Sequence, residues 1–284
     1  MNLKNKSILV TGGTGSFGKN FISYLVKNHQ NLKKIIIFSR DELKQLDIKK
    51  SFSKNKIFKK MRFFLGDVRD KERLMTAFKD IDIVVHAAAL KQVDTAEYNP
   101  NEFIKTNING AQNVIDAAVY NNVTKVIALS TDKASSPINL YGATKLCSDK
   151  LFISANFFYG QRRFSVVRYG NVEGSRGSVI PIFLSNKKSG ILNITHKEMT
   201  RFSLSLKKSI DLVMWSISNS FGGEIIIPKI PSYKITDLAK AINPKAKIKF
   251  LGIRPGEKLH EEMISNAESL NTIEIKDKFI ILHN

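Results

Sequence analysis

Apolar positions along this chain fall in short continuous runs rather than in alternation. SILVT (7–11), KIIIFS (34–39), MRFFLG (61–66), DIVVHAA (82–88), KVIALS (125–130) and FSVVRYG (164–170) are each near-continuously hydrophobic. A strand with one face in water alternates, whereas a strand covered on both faces does not, so these six runs predict buried strands. Between them lie segments with helical spacing of apolar residues, such as FGKNFISYLVKN (17–28) and NEFIKTNINGAQNVIDAAVYNN (101–122). Strands alternating with helices predict a parallel sheet with right-handed crossovers, an α/β Rossmann-type doubly wound fold.

The rhythm loosens after about residue 171, where Pro181, Pro228, Pro231, Pro244 and Pro255 separate shorter apolar segments. The expected division is residues 1–170 as the Rossmann-type domain. Residues 171–284 are expected to be mainly a smaller lobe over the C-terminal ends of the strands, where ligands bind in such folds, with some segments returning to the first domain.

Composition changes this picture little. Of 284 residues, 43% are hydrophobic and 25% charged, ordinary values for a chain with a real core. Lys and Arg number 45 against 25 Asp and Glu, a formal charge of +20. Such an excess is one mark of a nucleic-acid binder. Here the basic residues are spread along the chain, and the densest patch, Lys44 to Lys60, reads as a helix face and a loop. No nucleic-acid partner is therefore expected. A basic surface also draws in small anions such as nucleotide sugars.

The single cysteine, Cys147, excludes an intrachain disulfide and a cysteine metal site. The five histidines, His29, His86, His196, His260 and His283, show no ligand spacing, so no metal is expected. The first apolar stretch is too short for a signal peptide and no run reaches membrane-spanning length, so the expected location is cytoplasmic, without membrane insertion.

Candidate chemistry begins at TGGTGSFG (11–18), between the first strand and the first helix. Gly13, Gly15 and Gly18 fit one dinucleotide-binding frame, and Gly12, Gly15 and Gly18 fit another. Glycine is needed where the turn is tight and a pyrophosphate must approach the backbone, and the helix N-terminus then meets the anion. The second strand ends in FSRDE (38–42). An acid at that tip would grip the ribose of NAD, but Ser39 and Arg40 come first, and a guanidinium suits the 2′-phosphate of NADP. Asp41 follows at once, and an Arg40 that only covers the adenine face leaves NAD open. Asp67, in GDVRD, reads either as a partner for the adenine amino group or as a helix N-cap.

Tyr141 and Lys145 lie four apart, on one face of a predicted helix. A neighbouring ammonium lowers the phenol from its usual value of about 10 and lets it take a proton from an alcohol. Ser130 and Thr131, at the tip of the fifth strand, add weight to the pair. Asp132 and Lys133 stand beside them. They read either as a surface ion pair or as an acid and base beyond what a simple dehydrogenase needs.

TGGTGSFGK, FSRDELKQ, GDVRD, AALKQVDTAEYNP, KTNINGAQNVI, STDKASSPINLYGATK, RYGNVEGSRGSVIP, MTRF and GIRPGEKLHEEM occur in that order. Together, over nearly the whole chain, they resemble the extended short-chain dehydrogenase/reductase family. The DKA and RPGEKLHEE segments are most similar to its inverting UDP-N-acetylglucosamine 4,6-dehydratases, which begin pseudaminic acid synthesis. The resemblance implies a lyase that oxidises C4 with NADP⁺, eliminates water across C5 and C6, and returns the hydride to C6. C5 is reprotonated from the opposite face, giving a UDP-2-acetamido-2,6-dideoxy-L-arabino-hex-4-ulose.

By the same resemblance, Tyr141 deprotonates the C4 hydroxyl, Lys145 tunes Tyr141 and holds the nicotinamide ribose, and Thr131 bonds near C4. Lys133 is the C5 base and Asp132 protonates the leaving hydroxyl. Retaining dehydratases carry Asp-Glu where this chain has Asp-Lys. The implied cofactor contacts are Thr11, Gly12, Gly13, Thr14, Gly15, Ser16, Phe17 and Gly18, then Ser39, Arg40, Asp67 and Val68, then Ala87, Ala88 and Lys91, with Tyr141 and Lys145. This makes residues 1–170 the expected NADP-binding domain with the catalytic helix and 171–284 mainly the substrate-binding lobe. The implied substrate contacts are Lys91, Asn171, Ser178, Val179, Ile180, Arg201, Arg254 and Glu257. Glu173 and Asp94 depart from the family pattern. Members self-associate, some as hexamers, so a homo-oligomer is expected. Rival readings are a nucleotide-sugar 4-epimerase, a retaining dehydratase, or a non-catalytic NADP- or nucleic-acid-binding protein.

Overall fold

The computed structural model describes residues 3–160, 163–174, 178–187 and 190–283. The apolar runs become β1 (Ser7–Thr11), β2 (Lys34–Ser39), β3 (Met61–Leu65), β4 (Ile83–His86), β5 (Lys125–Thr131) and β6 (Phe164–Tyr169). All pair in parallel, in the order β3-β2-β1-β4-β5-β6. Every residue of β1, β4 and β6 is buried, which is why their sequences do not alternate. Strand order reverses between β1 and β4, and ligands bind in the crevice beyond such a switch point.

The remaining strands are β7 (Asn171–Val172), β8 (Ile191–Ile194), β9 (Thr200–Leu204), β10 (Ile225–Pro228), β11 (Ser232–Lys234), β12 (Lys247–Phe250), β13 (Thr272–Ile275) and β14 (Lys278–Ile281). They divide between two places. β10 joins β6 in parallel, and β14 then β13 add antiparallel strands, extending the main sheet to nine among the described residues. β7, β9 and β11 form a small sheet, and β8 pairs with β12. A separate apolar cluster holds this small region, with Phe183, Leu192, Ile194, Met199, Ile235 and Ala239 buried. The chain therefore crosses between the two regions several times after β6. Of the RYGNVEGSRGSVIP motif, residues 175–177 lie outside the described residues.

The helical pattern over 101–122 is interrupted. Pro100–Phe103 and Gly110–Tyr120 are α-helical, but Ile104–Asn109 between them is a π turn. The wider turn carries the Asn107 side chain inward. There its amide donates to the Leu90 carbonyl and the Thr144 hydroxyl while its oxygen accepts from the Leu90 N–H. The helix Leu140–Phe158 is thereby tied to the loop after β4.

Candidate active site

The glycine turn is a wall made of backbone. Gly12 has φ +64°, and a Cβ there would lie 2.8 Å from the Ala88 nitrogen. A Cβ on Gly18 would lie 2.5 Å from the Gly12 carbonyl oxygen. Gly15 is different. It lines the cleft and opens the helix Ser16–Asn28, where no side chain caps the N-terminus and no acid sits in the first turn. An anion placed there meets backbone N–H groups and the positive end of the helix dipole, so these residues fit a dinucleotide pyrophosphate.

The main cleft, about 730 Å³, is lined by Gly12, Thr14, Gly15, Ser16, Phe17 and Gly18 on this side. A second lobe of about 520 Å³ shares Gly12, Thr14 and Gly15 and runs past Ser39, Arg40, Asp67, Val68, Ala87 and Ala88. Thr11 and Gly13 line neither. The Thr11 hydroxyl accepts from the Ala87 and Ala88 N–H groups and pairs with His86 Nδ1 at 2.8 Å. Gly13 faces Ile37, so both residues serve the packing of the turn. His86 is wholly buried. Burial, with the charge of Lys145, pushes it down to about 3, so it is neutral.

At the tip of β2, Asp41 is the N-cap of the helix Glu42–Phe52, accepting from the Lys44 N–H. Arg40 is half-exposed, with its guanidinium 3.4 Å from Asp67. Ser39 is held by Gln45, which donates to its carbonyl and hydroxyl. The cap of the helix Lys71–Ala77 is Asp70, so the N-cap reading of Asp67 does not hold. Asp67 instead accepts from the Arg69 backbone and guanidinium. Burial alone would raise it, but the Arg69 hydrogen bonds and the charges of Arg40 and Arg69 win and hold it below the usual carboxylate range.

The candidate reactive corner lies where β5 meets the helix Leu140–Phe158. Thr131, Lys133, Tyr141 and Lys145 all line the main cleft. Lys133 Nζ is 3.0 Å from Asp132 Oδ1, and the Thr131 hydroxyl donates to the same oxygen at 3.0 Å. A second carboxylate, Glu261, approaches Lys133 to 3.2 Å from the RPGEKLHEE segment. Burial penalises the Lys133 ammonium, yet Asp132 and Glu261 outweigh it and hold it above the ordinary lysine range. The Asp132–Lys133 pair is thus buried rather than a surface ion pair.

Burial pushes Tyr141 up to about 12, against the opposing charge of Lys133 and a hydrogen bond with Thr131. The ammonium whose field lowers Tyr141 is Lys133. Lys145 is pushed down by burial and donates to the Leu129 carbonyl at 2.8 Å. Behind it, Asp149 accepts from Ser130 at 2.7 Å and meets Arg168 at 3.4 Å. Arg168 is fully buried and donates through both terminal nitrogens to Glu268 at 2.9 Å.

Lys91, Asn171 and Ser178 also line the cleft, as does Glu173. Burial lowers Lys91, and the charge of Lys133 adds to that. Ser178 begins the helix Val179–Ser185, in which Ile180 follows Val179, and Val179 packs on the small apolar cluster. Arg201, Arg254 and Glu257 are brought together away from the lining. Arg201 is buried and donates to Glu257 at 3.1 Å and to the carbonyls of Thr200 and Leu259. Arg254 is exposed, 3.7 Å from Asp94 and 4.0 Å from Glu257. Glu261, Asn107, Asp149 and Arg168 escape sequence reading. Glu261 stands inside GIRPGEKLHEEM (252–263), but nothing local marks which acid of that segment turns inward.

Residues 8–283 match the family described as polysaccharide biosynthesis protein. A UDP-N-acetylglucosamine 4,6-dehydratase (inverting) from Campylobacter jejuni subsp. jejuni serotype O:23/36 (strain 81-176) is 57% identical over 280 residues, covering 97% of this chain and 82% of the relative. A UDP-glucose 4-epimerase from Rickettsia bellii (strain OSU 85-389) is 47% identical over 273 residues, covering 93% and 79%. Pen from Bacillus thuringiensis superposes with a TM-score of 0.93 at 39% identity, over 99% of this chain and 88% of that one. DesIV, a dTDP-glucose 4,6-dehydratase from Streptomyces venezuelae with NAD and TYD bound, shares the fold at 22% identity with a TM-score of 0.80, over 90% and 88%. The match runs through the main sheet and the small region alike, and the chain belongs to the polysaccharide biosynthesis protein family, a branch of the extended short-chain dehydrogenases/reductases.

Proposed function

We propose that this protein is an NADP-dependent UDP-N-acetylglucosamine 4,6-dehydratase that inverts C5, acting in the cytoplasm as a homo-oligomer in pseudaminic acid synthesis. The observation that carries this reading is the placement of Lys133 in the same cleft as Tyr141 and Thr131, with Asp132 at 3.0 Å. A 4-epimerase needs the tyrosine but no further base. The 57% identical relative supports the same choice.

A bound NADP⁺ would supply the hydride acceptor for C4 and the hydride donor for C6. The glycine turn would hold its pyrophosphate, Arg40 its 2′-phosphate, Asp67 and Val68 its adenine side, and Lys145 its nicotinamide ribose. Lys91, Asn171 and Ser178 meet the UDP-sugar, with Val179 and Ile180 beside the uracil. Arg254 reaches the diphosphate from an exposed position, on a loop that Arg201 and Glu257 brace.

Tyr141 takes the C4 hydroxyl proton, and the nearby Lys133 charge eases phenolate formation. The resulting ketone acidifies C5. A single proton shift from Lys133 to Asp132, along their 3.0 Å contact, turns the ion pair into an amine and a carboxylic acid. The amine removes the C5 proton while Asp132 protonates the C6 hydroxyl, which leaves as water. The ion pair is restored by the same step.

Incubation with UDP-N-acetylglucosamine in D₂O, followed by NMR, tests this. The expected product is the 6-deoxy-4-ketose with deuterium at C5 and inverted C5 configuration, formed without net NADPH. A second reading, 4-epimerisation, has support in the 47% identical epimerase. It would yield the C4 epimer with no C5 deuterium. A labelled ketone with unchanged C5 configuration would mark a retaining dehydratase.

A further inference from the structure

Glu261 is remote from Asp132 and Lys133 in the chain, yet its side chain is only 3% exposed and its Oε1 lies 3.2 Å from Lys133 Nζ. Its other oxygen, Oε2, is buried without a hydrogen-bond partner. A carboxylate oxygen left bare is costly to bury, so packing alone does not account for an acid here. Two contacts fix its loop against the reactive corner. Lys258 donates to the Ser135 carbonyl at 2.8 Å, and Asn139 donates to the Gly256 carbonyl at 2.7 Å.

We propose that Glu261 is a positioning residue for Lys133, which sets the basicity with which that amine removes the C5 proton. The inference rests on the dehydratase reading. The charged and titratable groups that face Lys133 are Asp132 on its own turn, Tyr141 from the helix Leu140–Phe158, Glu261 from its loop and the cation Lys91. Once Asp132 has received its proton, Glu261 is the carboxylate left beside the neutral amine. When the C5–H bond breaks, the new ammonium forms against that charge. The C5–H electrons become the C5–C6 double bond, and the C6 oxygen departs with the Asp132 proton as water. Glu261 thus favours the side of the reaction in which Lys133 is charged, and makes the amine a stronger base.

The experiment compares wild type, Glu261→Gln and Glu261→Asp as full-length protein with NADP⁺ and UDP-N-acetylglucosamine. Water elimination and C5 deuterium uptake are followed against pH, and bound NADP⁺ reduction is followed in a single turnover. Elimination needs the one mobile proton of the Asp132–Lys133 pair, and losing the Glu261 charge lowers the pH at which Lys133 gives that proton to solvent. The falling alkaline limb of elimination in Glu261→Gln should therefore move about 1–2 pH units lower. C4 oxidation should change less than about threefold. Glu261→Asp keeps the charge, so its limb should return to the wild-type position with a reduced plateau. A Gln variant with the wild-type limb overturns the proposal. If the Gln variant does not fold, the Asp variant decides: a limb displaced downward despite the retained charge overturns it equally. Wild-type protein that never exchanges C5 refutes the dehydratase reading itself, whatever Glu261 does.

Discussion

At the glycine turn the cleft wall is backbone, and its affinity for an anion comes from N–H groups and a helix dipole. At the Asp132–Lys133 corner the wall is ionised side chain, buried and mutually paired. The first kind of wall works by leaving side chains out, since a Cβ on Gly12 or Gly18 would strike backbone. It has no protonation state to lose. The second works only while each charge has its partner, so one substitution changes every neighbour. In the proposed reading, the pyrophosphate is met by groups that do not titrate, and the chemistry by groups that must.

The sharpest way to separate the two is Lys133→Ala. We predict that C5 exchange and elimination fall by about 10²–10⁴-fold while NADP(H) affinity changes little. Reduced cofactor should then build up on the enzyme after C4 oxidation, visible as nicotinamide absorbance in a single turnover. Tyr141→Phe should stop one step earlier, with no reduction at all. Wild-type exchange in Lys133→Ala would remove the corner from the chemistry.

A smaller effect belongs to the binding side. Arg40→Ala should lose a charge-assisted contact worth roughly 1.5–3 kcal/mol, weakening NADP(H) about 10- to 100-fold and NAD(H) far less. Titration with both cofactors decides, and equal losses would mean that the guanidinium only covers the adenine.

The smallest effect sits where the two regions meet. His86, bonded to Thr11 and buried, titrates at about 3 in the fold against 6.5 in the unfolded chain. A depressed folded value means that the unfolded chain takes up the proton first. This stability is present above about pH 6.5 and drains away as pH falls toward 3, with about 2 kcal/mol lost between pH 7 and pH 5. Denaturant unfolding at those two pH values should show a shallower loss in His86→Asn. An identical loss in the variant would mean that His86 is not held neutral.

What could be read in advance follows the same division. β1 to β6 were legible to within about two residues, because burial on both faces writes itself into consecutive apolar positions. The glycine turn was legible because all its parts are contiguous. Asp67 kept two readings until the cap appeared on Asp70, since either acid of GDVRD suits a helix start. Glu261 and Arg168 were illegible for a different reason. Each meets its partner only through tertiary folding, and a charged residue in sequence looks alike whether it is solvated or buried. β10, β13 and β14 are too short to reveal which sheet they join.

Arg168 also makes the sheet depend on a late segment of the chain. It lies inside β6 at 0% side-chain exposure, yet the carboxylate it grips with two nitrogens, Glu268, follows 100 residues later. Without that segment the sheet would bury a guanidinium with Asp149 alone as its counter-charge at 3.4 Å, a costly state. A chain cut before Glu268 is therefore expected to hold β6 and the adjoining face of the helix Leu140–Phe158 less firmly than the full-length protein.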